Sequence, residues 1–195
     1  RADPSPFSSL ADMVAASFSE VFWNPATGCL FDVVNENGSD GSIRPNLLLA
    51  LSLPHLLLSR EQQNSALAVA EAKLFTPYGM RSLAPDEPRY CGHYGGGVLE
   101  RDGAYHQGTV WAWPIGPFIS ACFNVRGRNE KTAQAALDML SGLIAHVTDD
   151  AGLNHVSEIF DGDPPHVPNG CFAQAWSVSE LLRVLAEIDG IVPID

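Results

Sequence analysis

Three segments of this chain gather the residue types that carbohydrate chemistry needs. The first is Asp40-Gly41-Ser42-Ile43-Arg44-Pro45-Asn46. The second contains Thr76-Pro77-Tyr78-Gly79-Met80-Arg81-Ser82-Leu83 and closes on Glu100-Arg101-Asp102-Gly103-Ala104-Tyr105-His106-Gln107-Gly108-Thr109-Val110-Trp111. The third reads Ser157-Glu158-Ile159-Phe160-Asp161-Gly162-Asp163-Pro164-Pro165-His166, then Gly170-Cys171-Phe172-Ala173-Gln174-Ala175-Trp176-Ser177. Sugar hydroxyls need closely spaced donors and acceptors, which carboxylates, guanidinium groups and amides supply in pairs. The apolar face of a pyranose needs an aromatic surface, and tryptophan offers the largest. The mixture reads as a sugar site.

Helices must position these segments. Leu10, Met13, Val14, Ser17, Phe18, Val21 and Phe22 recur at i, i+3, i+4 and i+7, predicting a first helix that buries this face. A second apolar run spans Asn46 to Leu58, with Pro45 at a suitable first helical position. Ser59 and Gln62 form a capping box for a third helix over Arg60 to Phe75, which Pro77 and Gly79 stop. A fourth spans Gln107 to Asn124, with Trp111, Ile115, Phe118, Ile119 and Cys122 on one stripe and Pro114 bending or delaying it. Asn129 caps a fifth that carries Ala133, Ala136, Leu137, Leu140, Leu143, Ile144 and Val147. A sixth carries Trp176, Val178, Leu181, Leu182, Leu185 and Ile188. No segment alternates strongly enough to be a central strand, and no repeat is evident.

The connections between these helices run long, short, long, short, long. Antiparallel neighbours put successive connections at opposite ends, so the three long ones share an end. Long connections in a compact domain are usually functional. The expectation is an all-α toroid of helical hairpins with a loop-built site on one rim. The 195 residues suit one domain, running 1–195.

Composition narrows the function. Only 17% of residues are charged and 46% are apolar, which excludes a disordered polyelectrolyte. Asp and Glu number 23 against 11 Lys and Arg, a net charge of −12, with lysine only at Lys73 and Lys131. Without a basic face, nucleic acid and anionic membranes are excluded as partners, whereas a neutral ligand is compatible. The stretch from Leu47 to Leu58 is too short and broken to span a bilayer. No signal-peptide pattern is visible. Cys29, Cys91, Cys122 and Cys171 show no C-x-x-C pair and read as reduced thiols, hence a cytoplasmic setting. His93, His106, His155 and His166 lack ligand spacing, and Gly95-Gly96-Gly97 opens no helix after a strand, so no metal, cofactor or phosphate loop is expected. A first residue of Arg1 suggests a piece of something longer.

The SIRPN, TPYGMRSL, RDGAYHQGTVW and SEIFDGDPPH…GCFAQAWSVSELLR stretches occur in this order. In them the chain resembles the C-terminal catalytic region of glycogen debranching enzymes, the amylo-α-1,6-glucosidase family, from Phe22 through Leu185. The resemblance implies an (α/α)6 toroid, of which six helices would be about half. It also implies hydrolysis of α-1,6-glucosidic bonds with inversion. Such an enzyme needs an acid and a base about 6.5–9.5 Å apart, with water between base and sugar. The family's proposed acid is an Asp in a Thr-Trp-Met-Asp type motif. No such motif occurs here, and Asp32 beyond Trp23 does not fit it. The acid is therefore expected outside this chain.

Within that frame Glu158 is the candidate base, with Asp102 and Asp161 as alternatives. Asp102 also reads as a partner of Arg101 or a ligand of sugar hydroxyls. Arg44 and Arg81 either anchor loops through carboxylates or bind sugar, and Asn46 and Arg101 join them as candidate ligands. His106 and Gln107 open the expected fourth helix and either contact substrate or cap it. Trp111 and Trp176 lie just past loop ends, as core or as stacking platforms, whereas Trp113 reads as core. Gln174 reads as a sugar ligand or a helix cap, and Asp161 as a ligand if not the base. Three functions compete. The first is a debranching glycoside hydrolase acting on an α-glucan, completed by a missing N-terminal half or by a second copy. The second is a non-catalytic glucan-binding half-domain lacking the acid, and the third an isomerase on a similar toroid.

Overall fold

A computed structural model describes residues 5–194. The chain opens with α1 (Ser5–Phe22). Two tight antiparallel hairpins follow, β1 (Trp23–Asn24) with β2 (Cys29–Leu30) and β3 (Val33–Asn35) with β4 (Gly38–Asp40). Next come α2 (Leu47–Ser52), α3 (Arg60–Lys73), β5 (Phe75–Thr76), β6 (Gly79–Arg81), α4 (Val98–Ala104) and β7 (Val110–Trp111). The order closes with α5 (Ile115–Arg126), α6 (Glu130–Asp149), β8 (Ile159–Phe160), β9 (Pro168–Asn169) and α7 (Ala175–Asp189). Among the described residues, no helix is long and apolar enough to cross a membrane.

The core is built around α5. Its sequence is apolar on nearly every side, and it is buried from Ile115 to Phe123 and again at Val125, as a helix without a polar face must be. Helices α2, α3, α6 and α7 pack about it. The fully buried Phe118 stacks on Phe75 with ring centroids 5.5 Å apart. From α6 and α7, Leu140, Leu143, Leu181, Val184 and Ile188 enter the same cluster. Two helix starts follow the sequence signals. Ser59 accepts from the Gln62 N–H while the Gln62 side chain accepts from the Ser59 N–H. Asn129 accepts from the Thr132 N–H at 3.1 Å.

Other elements depart from the sequence expectation. The second helix does not reach Leu58. Leu53 precedes Pro54 and is extended (φ −73°, ψ 156°), the conformation proline imposes on its predecessor. Asn124 Nδ2 then donates to the Leu51 and Ser52 carbonyls at 3.0 Å each, satisfying that helix end. The fourth expected helix starts only at Ile115, with Pro114 at its N-cap, because Val110 and Trp111 leave for a sheet. A short helix, α4, was not expected; the Gly97 N–H at its start donates to the Glu100 carboxylate at 2.5 Å. On α1, Leu10, Met13, Val14 and Val21 are exposed rather than buried. Only Phe18 and Phe22, stacked 5.1 Å apart, pack onto the core. Nothing in the described chain covers the rest of that face.

The fold is therefore not all-α. A five-stranded antiparallel ladder, in the order β5-β6-β7-β8-β9, runs through the second and third long connections. Met80 pairs with Trp111, Trp111 with Ile159, and Ile159 with Asn169. Strands of two or three residues are too short to show alternation, which is why periodicity misses them. Gly79 is essential to the close approach. Its φ is +147°, and a Cβ there would lie 2.1 Å from the Trp111 carbonyl oxygen. Gly79→Ala is expected to destabilise the protein by about 3 kcal/mol. Gly103→Ala, on α4 with open space around it, should be neutral or stabilising by up to about 1 kcal/mol. Urea unfolding of the two variants distinguishes them; equal effects would remove the ladder as the cause.

Candidate active site

The ladder aligns the site. Glu158 immediately precedes β8, so the antiparallel pairing of Ile159 with Trp111 sets Glu158 beside the end of β7, where the chain runs on to Ala112. On the other side, the Glu158 N–H donates to the Cys171 carbonyl at 2.8 Å. The Cys171 N–H returns a bond to Glu158 Oε2 at 3.0 Å. Gly170 makes this reciprocal pair possible. Its φ is +71°, and a Cβ on it would sit 2.4 Å from Oε2. Tyr105 donates its phenolic hydrogen to Oε1, and Gln174 Nε2 donates to the same oxygen at 3.2 Å. The half-buried carboxylate thus accepts three hydrogen bonds. Behind it, the buried His146 Nε2 accepts the Ser157 N–H at 3.2 Å, which fixes the segment one residue upstream.

Tyr105 joins this carboxylate to an aromatic wall. Its ring meets His106 and Trp111 edge-on, with centroids 4.8 and 4.9 Å away. His106 lies flat on Trp111 at 4.9 Å and 7° between planes. Trp176 packs its edge on Trp111 and tilts against Trp113, 5.7 Å away. With Arg44 and Asn46 the rings of His106, Trp111, Trp113 and Trp176 line a cleft of about 320 Å³, within the range of small-ligand sites. Trp176 is 48% exposed, a free indole surface, whereas Trp111 is 5% exposed and its Nε1 donates to the Tyr105 carbonyl at 3.1 Å. Glu158 does not line this cleft itself but stands beyond Tyr105.

Two groups here titrate away from their ordinary ranges. Burial, then the neighbouring Glu158 carboxylate, push the Tyr105 phenol up, so it remains a hydrogen donor at all physiological pH. Partial burial, then the Arg44 guanidinium, hold the His106 imidazole below the usual histidine range.

The residues singled out from sequence fall into three groups. Glu158, His106, Trp111, Gln174 and Trp176 come together as described, with Arg44, Asn46 and Gln107 along the same side. Arg44 is heavily engaged by the protein. Its Nη1 donates to the Ser82 and His106 carbonyls at 2.9 and 2.7 Å, and its Nη2 donates to Gln107 Oε1 at 2.9 Å. Asp32 lies 3.7 Å from its Nε and accepts from Asn46 Nδ2 at 2.7 Å. Arg44 thereby ties the first long connection to the second.

The second group lies behind the site. Asp161 is 6% exposed, and its carboxylate accepts from the Tyr94 N–H and Asn169 Nδ2 and meets His93 Nδ1 at 2.9 Å. Arg81 Nε donates to the Gly162 carbonyl at 2.9 Å, tying the second connection to the third. Arg101 and Asp102 form the third group. Both are exposed on α4, do not line the cleft, and form no side-chain hydrogen bond or ion pair among the described residues, so the expected pairing of one with the other is absent. Sequence reading missed Tyr105 and misplaced Trp113, which is half-buried and lines the cleft. The available signal for Tyr105 was a phenol set in an otherwise polar segment directly before His106. Gln174 sits at the N-cap of α7 without capping it through its side chain.

A sequence profile described as amylo-alpha-1,6-glucosidase matches residues 1–183. A glycogen debranching enzyme of Saccharomyces cerevisiae is 31% identical over 103 residues, covering 50% of this chain and 7% of that relative. The chain thus spans a small part of the length of the curated relative it matches.

The depressed pKa of His106 has a consequence for stability. The unfolded imidazole takes up a proton near the ordinary value of about 6.5, before the folded one does. The stabilisation present at pH 7 is therefore lost as pH falls from about 6.5 through the lower folded value. Unfolding free energy measured from pH 8 to 5 should decline less steeply in His106→Gln than in the parent. Parallel curves would show that His106 is not the group responsible.

Proposed function

This chain belongs to the amylo-alpha-1,6-glucosidase family, and on that premise we propose that it is the base-bearing half of a debranching glycoside hydrolase. In the intact protein it would hydrolyse α-1,6-glucosidic branch points of glycogen or a related α-glucan with inversion. Water gives its proton to Glu158 while its oxygen bonds the anomeric carbon. The glycosidic C–O bond breaks, and the departing oxygen takes a proton from an acid supplied outside this chain. The observation that carries this reading is the Glu158 carboxylate, held by three donors beside an aromatic cleft. Trp176 and Trp113 suit the faces of glucosyl units, and the neutral His106 suits their hydroxyls.

A second reading is a glucan-binding half-domain without catalysis. It is favoured by the cleft lining, which among the described residues includes no carboxylate. The exposed apolar side chains of α1, together with Leu182 at 62% exposure, support a missing partner surface. That surface fits the other half of an (α/α)6 toroid or a second copy of this chain. A cytoplasmic setting accords with four free cysteines.

Two measurements test this function. In the intact protein, Glu158→Gln keeps the shape and, with its amide oxygen toward Tyr105 and Gln174, two of the three hydrogen bonds, but loses the bond from the Cys171 N–H and removes basicity. On an α-1,6-branched limit dextrin its kcat should fall about 10²–10⁴-fold with KM little changed, and azide should restore turnover. A kcat within about threefold of the parent would remove Glu158 as the base. The isolated chain should self-associate at micromolar concentration or bind a hydrophobic dye, and a monodisperse monomer without dye binding would count against the missing partner surface.

A further inference from the structure

A carboxylate has about four lone-pair sites, two on each oxygen. On Glu158, Oε1 already receives both the Tyr105 O–H and the Gln174 N–H. Oε2 receives only the Cys171 N–H. The two oxygens are therefore not equivalent. Resting on the reading of Glu158 as base, we infer that Tyr105 is a positioning residue that, with Gln174, saturates Oε1 and so assigns to Oε2 the proton taken from the attacking water.

The phenol is suited to this task. Its ring is wedged among Tyr94, His106 and Trp111, with centroids 4.8–5.7 Å away, so its hydroxyl direction is set by packing. Its backbone carbonyl is held twice, by Trp111 Nε1 at 3.1 Å and by the Thr109 hydroxyl at 2.6 Å. Because burial keeps it protonated, it offers the carboxylate a donor and never a competing charge. The same ring touches the aromatic residues that line the cleft. A sugar pressed on that wall bears on the group that aims the base, which links binding to the chemical step.

Tyr105→Phe removes one oxygen and keeps the ring. In the intact protein acting on α-1,6-branched limit dextrin, kcat should fall about tenfold or more, while KM stays within about threefold. In a Glu158→Gln background there is no base to aim, so adding Tyr105→Phe should lower kcat by less than about twofold. A merely structural tyrosine would give the same fractional loss in both backgrounds, which would overturn the assignment, as would an unchanged kcat in the single variant. Melting curves check that each variant folds. If Tyr105→Phe does not fold, Gln174→Ala carries the same cycle, since it donates to the same oxygen, and an equal loss in both backgrounds again overturns the assignment. Failure of the underlying reading shows separately, as a Glu158→Gln variant that keeps its kcat.

Discussion

Backbone polar groups taken out of water must be paired, and in this chain that requirement organises the site. The second and third long connections fold inward against helices, where their N–H and C=O groups lose solvent. Antiparallel pairing across five strands of two or three residues satisfies them. The pairing continues past the strand ends, through Ser82 to Thr109 and Glu158 to Cys171. Each bond contributes only about 1 kcal/mol net, but together they set the register that brings Glu158, Tyr105 and Gln174 to one point. A one-residue slip would turn each side chain to the opposite face.

Arginine closes the remaining gaps. Arg44 reaches from the first connection to carbonyls of the second, and Arg81 from the second to a carbonyl of the third. A guanidinium carries several donors in a rigid fork, so one side chain can hold carbonyls from separate segments. The half-buried Asp32 and the buried Asp161 act in the same way as acceptors, Asp32 within the first connection and Asp161 for donors from the second and third. Charged residues in these loops thus do structural work first, and those next to the cleft present what hydrogen-bonding capacity remains. Glu158 differs in one respect. Its carboxylate, held by the same kind of donors, stands beside the aromatic wall of the cleft.

The apolar surface is divided unevenly. Helix α5 has no exposed face because α2, α3, α6 and α7 surround it. Helix α1 covers only its last turn and leaves Leu10, Met13, Val14 and Val21 in solvent. Such a face is costly unless it meets another surface, and it sits in a chain that aligns with a small part of its yeast relative.

Features that depend on a few neighbouring residues were legible in the sequence. The Ser59–Gln62 box, the Asn129 cap and the helices α6 and α7 are local, and each appears where spacing places it, although Ile144 and Leu182 of the expected stripes are exposed. The mixture of carboxylate, amide and indole in the long connections, and the family it resembles, were legible for the same reason. What sequence spacing could not contain was pairing between distant segments. Strands too short to alternate, the helix start displaced to Ile115, the uncovered face of α1, and Tyr105 as donor to Glu158 all depend on which segments meet. Only the packed chain decides that, because a two-residue strand or a single phenolic hydrogen bond has no stability or signature apart from its partner.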